Sequence, residues 1–312
     1  MRCRTSTNPT EQMARGFQQV MLGTLCTDRA RVREALERIR GAGYSLIELN
    51  GFMIRPLPEE IRKLLDENGF PVGISGDLDW PDLLRESGLA VSGIHEDLTL
   101  IEQSPQLVIR EAWQYDVRRI IAGSIAGMDY SDRENVRKLA DRLNSAGKML
   151  KKAGLSLFYH NHNCEFYRLT TDASGEKLPP HLRSETGYDA LVRLTRPSLV
   201  SFEYDSYWAA EAGCDVLRQM RMLGRRMKLY HISDRGDPAG AGAASVFMRN
   251  EGCALGFGNM NLEAMMTRAL ANGTEAVIVE IHRNWRTGSP VQALADSSLF
   301  FTESVTYGTS GK

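Results

Sequence analysis

The sequence predicts a single (β/α)8 TIM barrel, an α/β fold, from three observations. Short apolar runs alternate with amphipathic stretches eight times along the 312 residues, and strands that alternate with helices build parallel sheets. Eight such units at this length suit a closed barrel. The turn after the first apolar run, Gly23-Thr24-Leu25-Cys26, lacks the Gly-rich phosphate fingerprint of an open dinucleotide-binding sheet. No sharp linker interrupts the chain, so one catalytic domain is expected over residues 16–303. A polar N-terminal tail (1–15) precedes it and a C-terminal tail (304–312) follows.

The elements follow in order. Gly16 to Leu25 reads as the first strand, and Thr27 or Asp28 caps a helix to about Gly41, with Val32, Ala35, Leu36 and Ile39 on one face. Ser45 to Leu49 is the second strand. Pro58, Glu59 and Glu60 open a helix with proline and acids in its first turn, and Pro81 to Ser87 forms another. Leu89 to His95 is the third strand, Pro105 to Tyr115 a helix, and Val117 to Ala122 the fourth strand. A long amphipathic helix spans Ser131 to Ala153, with Ser131 as its cap and Gly154 at its end. Leu155 to His160 is the fifth strand, Tyr188 to Thr195 a helix, and Leu199 to Tyr204 the sixth strand. Asp215 to Leu223 is a helix and Met227 to His231 the seventh strand. Leu262 to Ala271 is a helix whose methionines suit a core. Ala276 to Ile281 is the eighth strand and Pro290 to Phe301 the closing helix. The Gly/Ala-rich stretch from Gly236 to Gly258 is long for a connection, a length typical of lids and binding loops.

Composition excludes several classes of function. Hydrophobic residues make up 42% and charged residues 25%, as in ordinary globular proteins. Thirty-eight Lys and Arg against 39 Asp and Glu leave a formal charge of −1, no footprint for nucleic acid or a membrane surface. Five cysteines (Cys3, Cys26, Cys164, Cys214, Cys253) are dispersed and include no C-x-x-C pair. That argues for a reducing compartment rather than a disulfide framework or zinc knuckle. Residues 1–15 carry no apolar signal core, and no run approaches the roughly 18 apolar residues of a membrane span. A cytoplasmic location is expected.

The richest segment is Leu157-Phe158-Tyr159-His160-Asn161-His162-Asn163-Cys164-Glu165-Phe166, a strand that ends in two imidazoles and a carboxylate. Such groups are costly to bury without partners, so their clustering points to a metal or acid–base site. Five of the six histidines (His95, His160, His162, His231, His282) lie at or just beyond predicted strand ends; His181 does not. Glu48, Glu96, Asp205 and Glu280 lie at other strand ends, and barrel enzymes place their chemistry there. Three carboxylates and an imidazole from different strands make a mixed oxygen and nitrogen site. Such a carboxylate-rich site suits Mn²⁺ or Mg²⁺, with Co²⁺ and Zn²⁺ as alternatives. Glu48, His95, Trp208, Arg235, His282 and Arg283 are candidates for substrate binding. Tyr207 could share an apolar wall with Trp208, and Glu96 and Trp285 are weaker candidates.

Four motifs carry a resemblance. Tyr159-His160-Asn161-His162 with Glu165-Phe166, then Phe202 to Trp208, then Tyr230-His231-Ile232-Ser233-Asp234-Arg235, then Val279-Glu280 together resemble the xylose-isomerase-like barrel superfamily. Its sugar phosphate isomerase/epimerase branch is the nearer one, with inosose dehydratases, ketose 3-epimerases and C-glycoside deglycosidases as relatives. The resemblance runs from Gly16 to about Phe301. It implies one Mn²⁺-type ion on Glu165, Asp205, His231 and Glu280, with His160 and His162 left for proton transfer. The chain departs from the ketose epimerases in one respect: their fifth-strand ligand is a Glu inside the strand, where this chain has His160. Either Glu165 reaches back to the ion or His160 replaces the carboxylate.

The function implied is removal of a proton next to a sugar carbonyl. Cleavage of a 3-oxo-glycoside, as by a C-glycoside deglycosidase catalytic subunit, is favoured because a His-x-His pair suits a two-role elimination. Isomerisation or epimerisation of a sugar or sugar phosphate through an enediolate is the alternative. The resemblance also implies a small β-rich partner subunit and an oligomer. Cleavage of nucleic acid, known on this architecture, is disfavoured by the absence of a basic stripe. A metal-free binding barrel would have no use for so many ligand-type residues.

Overall fold

The computed structural model describes residues 13–236, 251–283 and 285–307, with the backbone alone for 303–307. The strands are β1 (Ala14–Gln18), β2 (Leu46–Asn50), β3 (Ala90–Glu96), β4 (Arg119–Ala122), β5 (Ser156–His160), β6 (Val200–Asp205), β7 (Met227–Ile232), β8 (Asp234–Arg235), β9 (Gly252–Cys253) and β10 (Ala276–Val279). Eight of them close a parallel barrel in the order β1-β10-β7-β6-β5-β4-β3-β2. The predicted fold class therefore holds. β8 and β9 form a separate antiparallel ribbon. The residues between these two strands, 237–250, include most of the expected lid and lie outside the described residues.

The helices are α1 (Arg29–Gly41), α2 (Glu59–Glu67), α3 (Trp80–Ser87), α4 (Leu98–Gln103), α5 (Pro105–Gln114), α6 (Arg133–Lys152), α7 (Gly187–Leu194), α8 (Ser206–Glu211), α9 (Val216–Leu223), α10 (Leu262–Asn272) and α11 (Pro290–Tyr307). Capping side chains explain most starts. Asp28, Asp79, Asp97, Asp132, Thr186, Asp205, Asp215 and Asn261 each accept a first-turn N–H, which satisfies an otherwise orphaned donor. α6 buries Val136, Leu139, Ala140, Leu143, Ala146, Gly147 and Leu150, the three-and-four spacing of one helical face. Each large apolar side chain on that face contributes about 1.5–3 kcal/mol by leaving water.

Several details differ from the sequence reading. The first strand stops at Gln18, and Gln19–Leu25 coils into a 3-10 helix. Asp132 rather than Ser131 caps α6, because the Ser131 hydroxyl is taken by Asp129 at 2.7 Å. The last barrel strand ends at Val279, one residue before Glu280. α4, α8 and the short strands β8 and β9 were not foreseen. No described helix is long and apolar enough to cross a membrane, and none of the described cysteines is in a disulfide.

The chain divides into two compact units, one from the residues up to 92 with those from 231 onward, the other from residues 93–230. In the first, Gly16 faces Ile278 and Leu46 so closely that a Cβ would clash, and the register sets Gln18 opposite Glu48. In the second, Gly93 makes the same close approach to Ile121, and the register sets His160 opposite Glu203. In both units polar residues therefore meet at C-terminal strand ends, where barrels carry their chemistry.

Candidate active site

In the unit of residues 93–230, β3, β5 and β6 each deliver a polar group. Glu203 is fully buried, and its Oε2 lies 2.9 Å from His95 Nε2 and 3.2 Å from His160 Nδ1. Residues two apart leave a strand on the same side, and the His160 and His162 rings accordingly meet edge-on at 4.9 Å. His162 lies 5.7 Å from Trp208, which lies 5.0 Å from Tyr207. The expected aromatic wall thus stands beside an imidazole.

Asp205 ends β6 and opens α8, its Oδ1 accepting the Trp208 N–H at 2.8 Å. Its backbone is clasped by Asn161: the Asp205 N–H donates to Asn161 Oδ1 at 3.1 Å, and Asn161 Nδ2 donates to the Asp205 carbonyl at 3.1 Å. That amide ties the ends of β5 and β6 together and fixes where the Asp205 carboxylate begins.

Glu165 sits in a 3-10 turn, Cys164–Phe166, and is fully buried. It accepts hydrogen bonds from the Ser124 hydroxyl, from Tyr159 Oη at 2.8 Å, from the His162 N–H at 3.2 Å and from Cys164 Sγ at 3.2 Å. Burial, and then the Glu165 charge, push the Tyr159 hydroxyl well above its ordinary pKa. The same two causes push the Cys164 thiol up to about 12. Both groups therefore stay protonated and donate.

In the other unit His231 stands between two acids. Its Nε2 lies 2.6 Å from Glu48 Oε1 and its Nδ1 3.0 Å from Glu280 Oε2. His231 and Glu48 are fully buried. Gln18 Nε2 donates to Glu48 at 3.4 Å, and Asn50 Nδ2 holds Gln18 Oε1 at 2.6 Å. His282 Nε2 lies 3.5 Å from Glu280 Oε1, with its ring edge-on to Phe70.

Among the described residues, metal-ligand donors gather in each unit: His95, His160, Glu203 and Asp205 in residues 93–230, and His231 and Glu280 in the other. These donors fit a divalent cation. Carboxylate oxygens and imidazole nitrogens are the donor types that divalent first-row ions take. Glu165 is not among them: its Oε1 is turned to Ser124 and Tyr159, and its Oε2 to the His162 N–H and Cys164.

The expected substrate contacts spread more widely. Arg235 lies on β8, its N–H bound to Asp234 Oδ1 at 2.8 Å. The Asp234 carboxylate also gathers the N–H groups of Gly256, Gly258 and Met260, which anchors this ribbon. Arg283 is exposed and lies 3.6 Å from Glu251. Trp285 Nε1 donates to the Ile281 carbonyl at 2.9 Å.

Sequence reasoning missed Glu203, Asn161 and Ser124. Glu203 had a signal, since a carboxylate inside the strand Val200–Asp205 must be buried with partners. Asn161 lay within the quoted motif, but its role needs the neighbouring strand. Ser124 had no signal, because a serine after a strand is ordinary.

Comparison with known proteins comes to the same architecture. Inosose dehydratase of Mesomycoplasma hyopneumoniae (strain 7448) is 27% identical over 105 residues, 34% of this chain and 30% of that protein's length. The crystal structure of a sugar phosphate isomerase/epimerase from Parabacteroides distasonis covers 95% of this chain, and the match spans 94% of its own length, at 23% identity and a TM-score of 0.67. That of 3-keto-D-glucoside 4-epimerase from E. coli covers 93% of this chain and 99% of its own, at 14% identity and a TM-score of 0.57. The family model for xylose isomerase-like TIM barrels matches residues 36–303, and this chain belongs to that family.

Proposed function

We propose that this chain is a divalent-metal-dependent carbohydrate enzyme that removes the proton next to a sugar carbonyl. Its proposed ligands are His160, Asp205, His231 and Glu280, and its proposed ion is Mn²⁺. The commitment of Glu165 to its own donors is the observation that carries this set over one built on Glu165. Two carboxylates support it from behind. Glu203 against His160 Nδ1 and Glu48 against His231 Nε2 match the way acids orient metal-binding imidazoles. Bound there, the ion would polarise a carbonyl and stabilise developing negative charge.

The chain's own residues do the rest. Asn161 and the Trp208 N–H hold Asp205 in place. Trp208 and Tyr207 offer an apolar face to a sugar ring and exclude water beside it. His162, stacked at that wall, takes and returns the proton, since an imidazole's ordinary pKa of about 6.5 suits transfer at neutral pH. His95, Arg235, His282 and Arg283 remain proposed substrate contacts, whereas Glu48, expected among them, is proposed to orient His231.

Within this chemistry we favour elimination from a 3-oxo-glycoside, in which the proton beside the ketone leaves and the aglycone departs from the next carbon. The resemblance to a protein named as a dehydratase and to one named as a 3-keto-glucoside epimerase supports a ketone-bearing ring as substrate. The likeness to a sugar phosphate isomerase/epimerase supports the second reading, reprotonation without loss of a group. A small β-rich partner subunit and self-association through the outer helices belong to the same proposal, and light scattering and co-purification test them.

One assay separates the readings. O- and C-linked 3-oxo-glucosides are incubated in D₂O with the Mn²⁺-loaded chain. Deuterium at the carbon beside the ketone together with released aglycone supports elimination, whereas deuterium without release supports the isomerase. No exchange from any substrate, in a sample shown to hold metal, contradicts the proposal.

A further inference from the structure

We infer that Ser124 and Glu165 are positioning residues that hold the His162 imidazole with its proton on Nδ1 and its lone pair on Nε2. The argument is one of donor counting. Ser124 Oγ lies 2.8 Å from His162 Nδ1 and also bonds Glu165 Oε1. A carboxylate only accepts, and a serine hydroxyl has a single proton to give. That proton points to Glu165, so Ser124 can offer His162 only a lone pair, and Nδ1 must carry the hydrogen.

The other side of Glu165 is ordered in the same sense. The Ile125 N–H donates to Tyr130 Oη at 2.8 Å, Tyr130 and Tyr159 hydroxyls meet at 3.2 Å, and Tyr159 donates to Glu165 at 2.8 Å. Since Tyr159 gives its one proton to Glu165, it can only accept from Tyr130, so the Tyr130 proton is directed to Tyr159. Protons thus run into one fully buried carboxylate from both directions. Glu165 thus accepts on both sides, from Ser124 and Tyr159 at Oε1 and from the His162 N–H and Cys164 at Oε2. The arrangement sets serine between acid and base, and it explains why the carboxylate that the motif offers as a ligand is turned away from the donors of His160 and Asp205.

The catalytic meaning of this orientation rests on the proposed function, but the orientation itself does not. The test is ¹⁵N NMR of the imidazoles in the full-length, Mg²⁺-loaded chain, with His162 assigned by its loss in His162→Gln. Spectra are taken about two units above the ordinary imidazole pKa of about 6.5, where the ring is neutral. The expected result is a pyrrole-type Nδ1 and a pyridine-type Nε2. Ser124→Thr keeps this pattern, and Ser124→Ala loses the preference. A pyridine-type Nδ1 in the native protein overturns the inference, as does an unchanged pattern in Ser124→Ala. Should Ser124→Ala not fold, the native spectrum and Ser124→Thr decide. Failure of deuterium exchange with the tautomer intact sinks the proposed function and leaves the positioning. Exchange with the opposite tautomer does the reverse.

Discussion

Asn161→Ala strikes the joint between β5 and β6. The side chain is fully buried and makes both hydrogen bonds to the Asp205 backbone, each 3.1 Å long. Its removal deletes both bonds to that buried backbone, at about 1–3 kcal/mol for each group that loses its amide partner. The lost volume adds about 1 kcal/mol. A total loss of about 3–7 kcal/mol is a large share of the roughly 5–15 kcal/mol by which domains are stable. Urea unfolding with an unchanged m-value should show it as a lowered midpoint. Because the clasp sets the Asp205 carboxylate, affinity for Mn²⁺ should fall about 10–100-fold, the usual cost of removing support behind a ligand. Asn163→Ala, at an exposed neighbour, should change stability by no more than about 0.5 kcal/mol. An Asn161→Ala chain within about 1 kcal/mol of native, with unaltered metal affinity, would refute the reasoning.

Two further outcomes concern the body of the barrel. Burial raises the pKa of Tyr44, Tyr130, Tyr159, Tyr188 and Tyr204. Above pH ~10 the unfolded chain releases these protons while the folded chain keeps them, so stability is complete below that pH and falls as pH rises. Each tyrosine costs about 1.4 kcal/mol by pH 11, together about 7 kcal/mol, and circular dichroism should record unfolding within the next unit or so. A native signal persisting to pH ~12 would contradict the burial of these rings. Leu143→Ala, at a fully buried position on the inner face of α6, should cost about 3 kcal/mol; a loss below about 1 kcal/mol in urea melts would place Leu143 outside the core.

Much of the fold was legible because period and punctuation agree. α6 shows it: a long apolar face and Gly154 after the last turn can be read one residue at a time, though its cap is Asp132 and not the expected Ser131. Gln19–Leu25 misled, because a short buried helical turn rich in Val20, Met21 and Leu22 has the composition of a strand. The two-residue strands β8 and β9 are too short to carry any pattern. In the site, histidines at strand ends announced themselves, since buried imidazoles need partners. Which atom meets which was not legible. Ser124 finds His162 and Glu165 across 38 and 41 residues of chain, and nothing local marks such a meeting. The same distance in sequence hid the choice between Glu165 and His160. Both stand in one motif, and only the hydroxyls of Ser124 and Tyr159 show that Glu165 is already engaged.

The ligand set itself is tested most directly by calorimetric titration of Mn²⁺ into the chelated full-length chain and four variants. The account predicts about one ion per native chain. It predicts binding abolished in His160→Gln, Asp205→Asn and His231→Gln, and held within tenfold in Glu165→Gln. A native chain that binds no ion, or binding that survives His160→Gln and vanishes in Glu165→Gln, would contradict it.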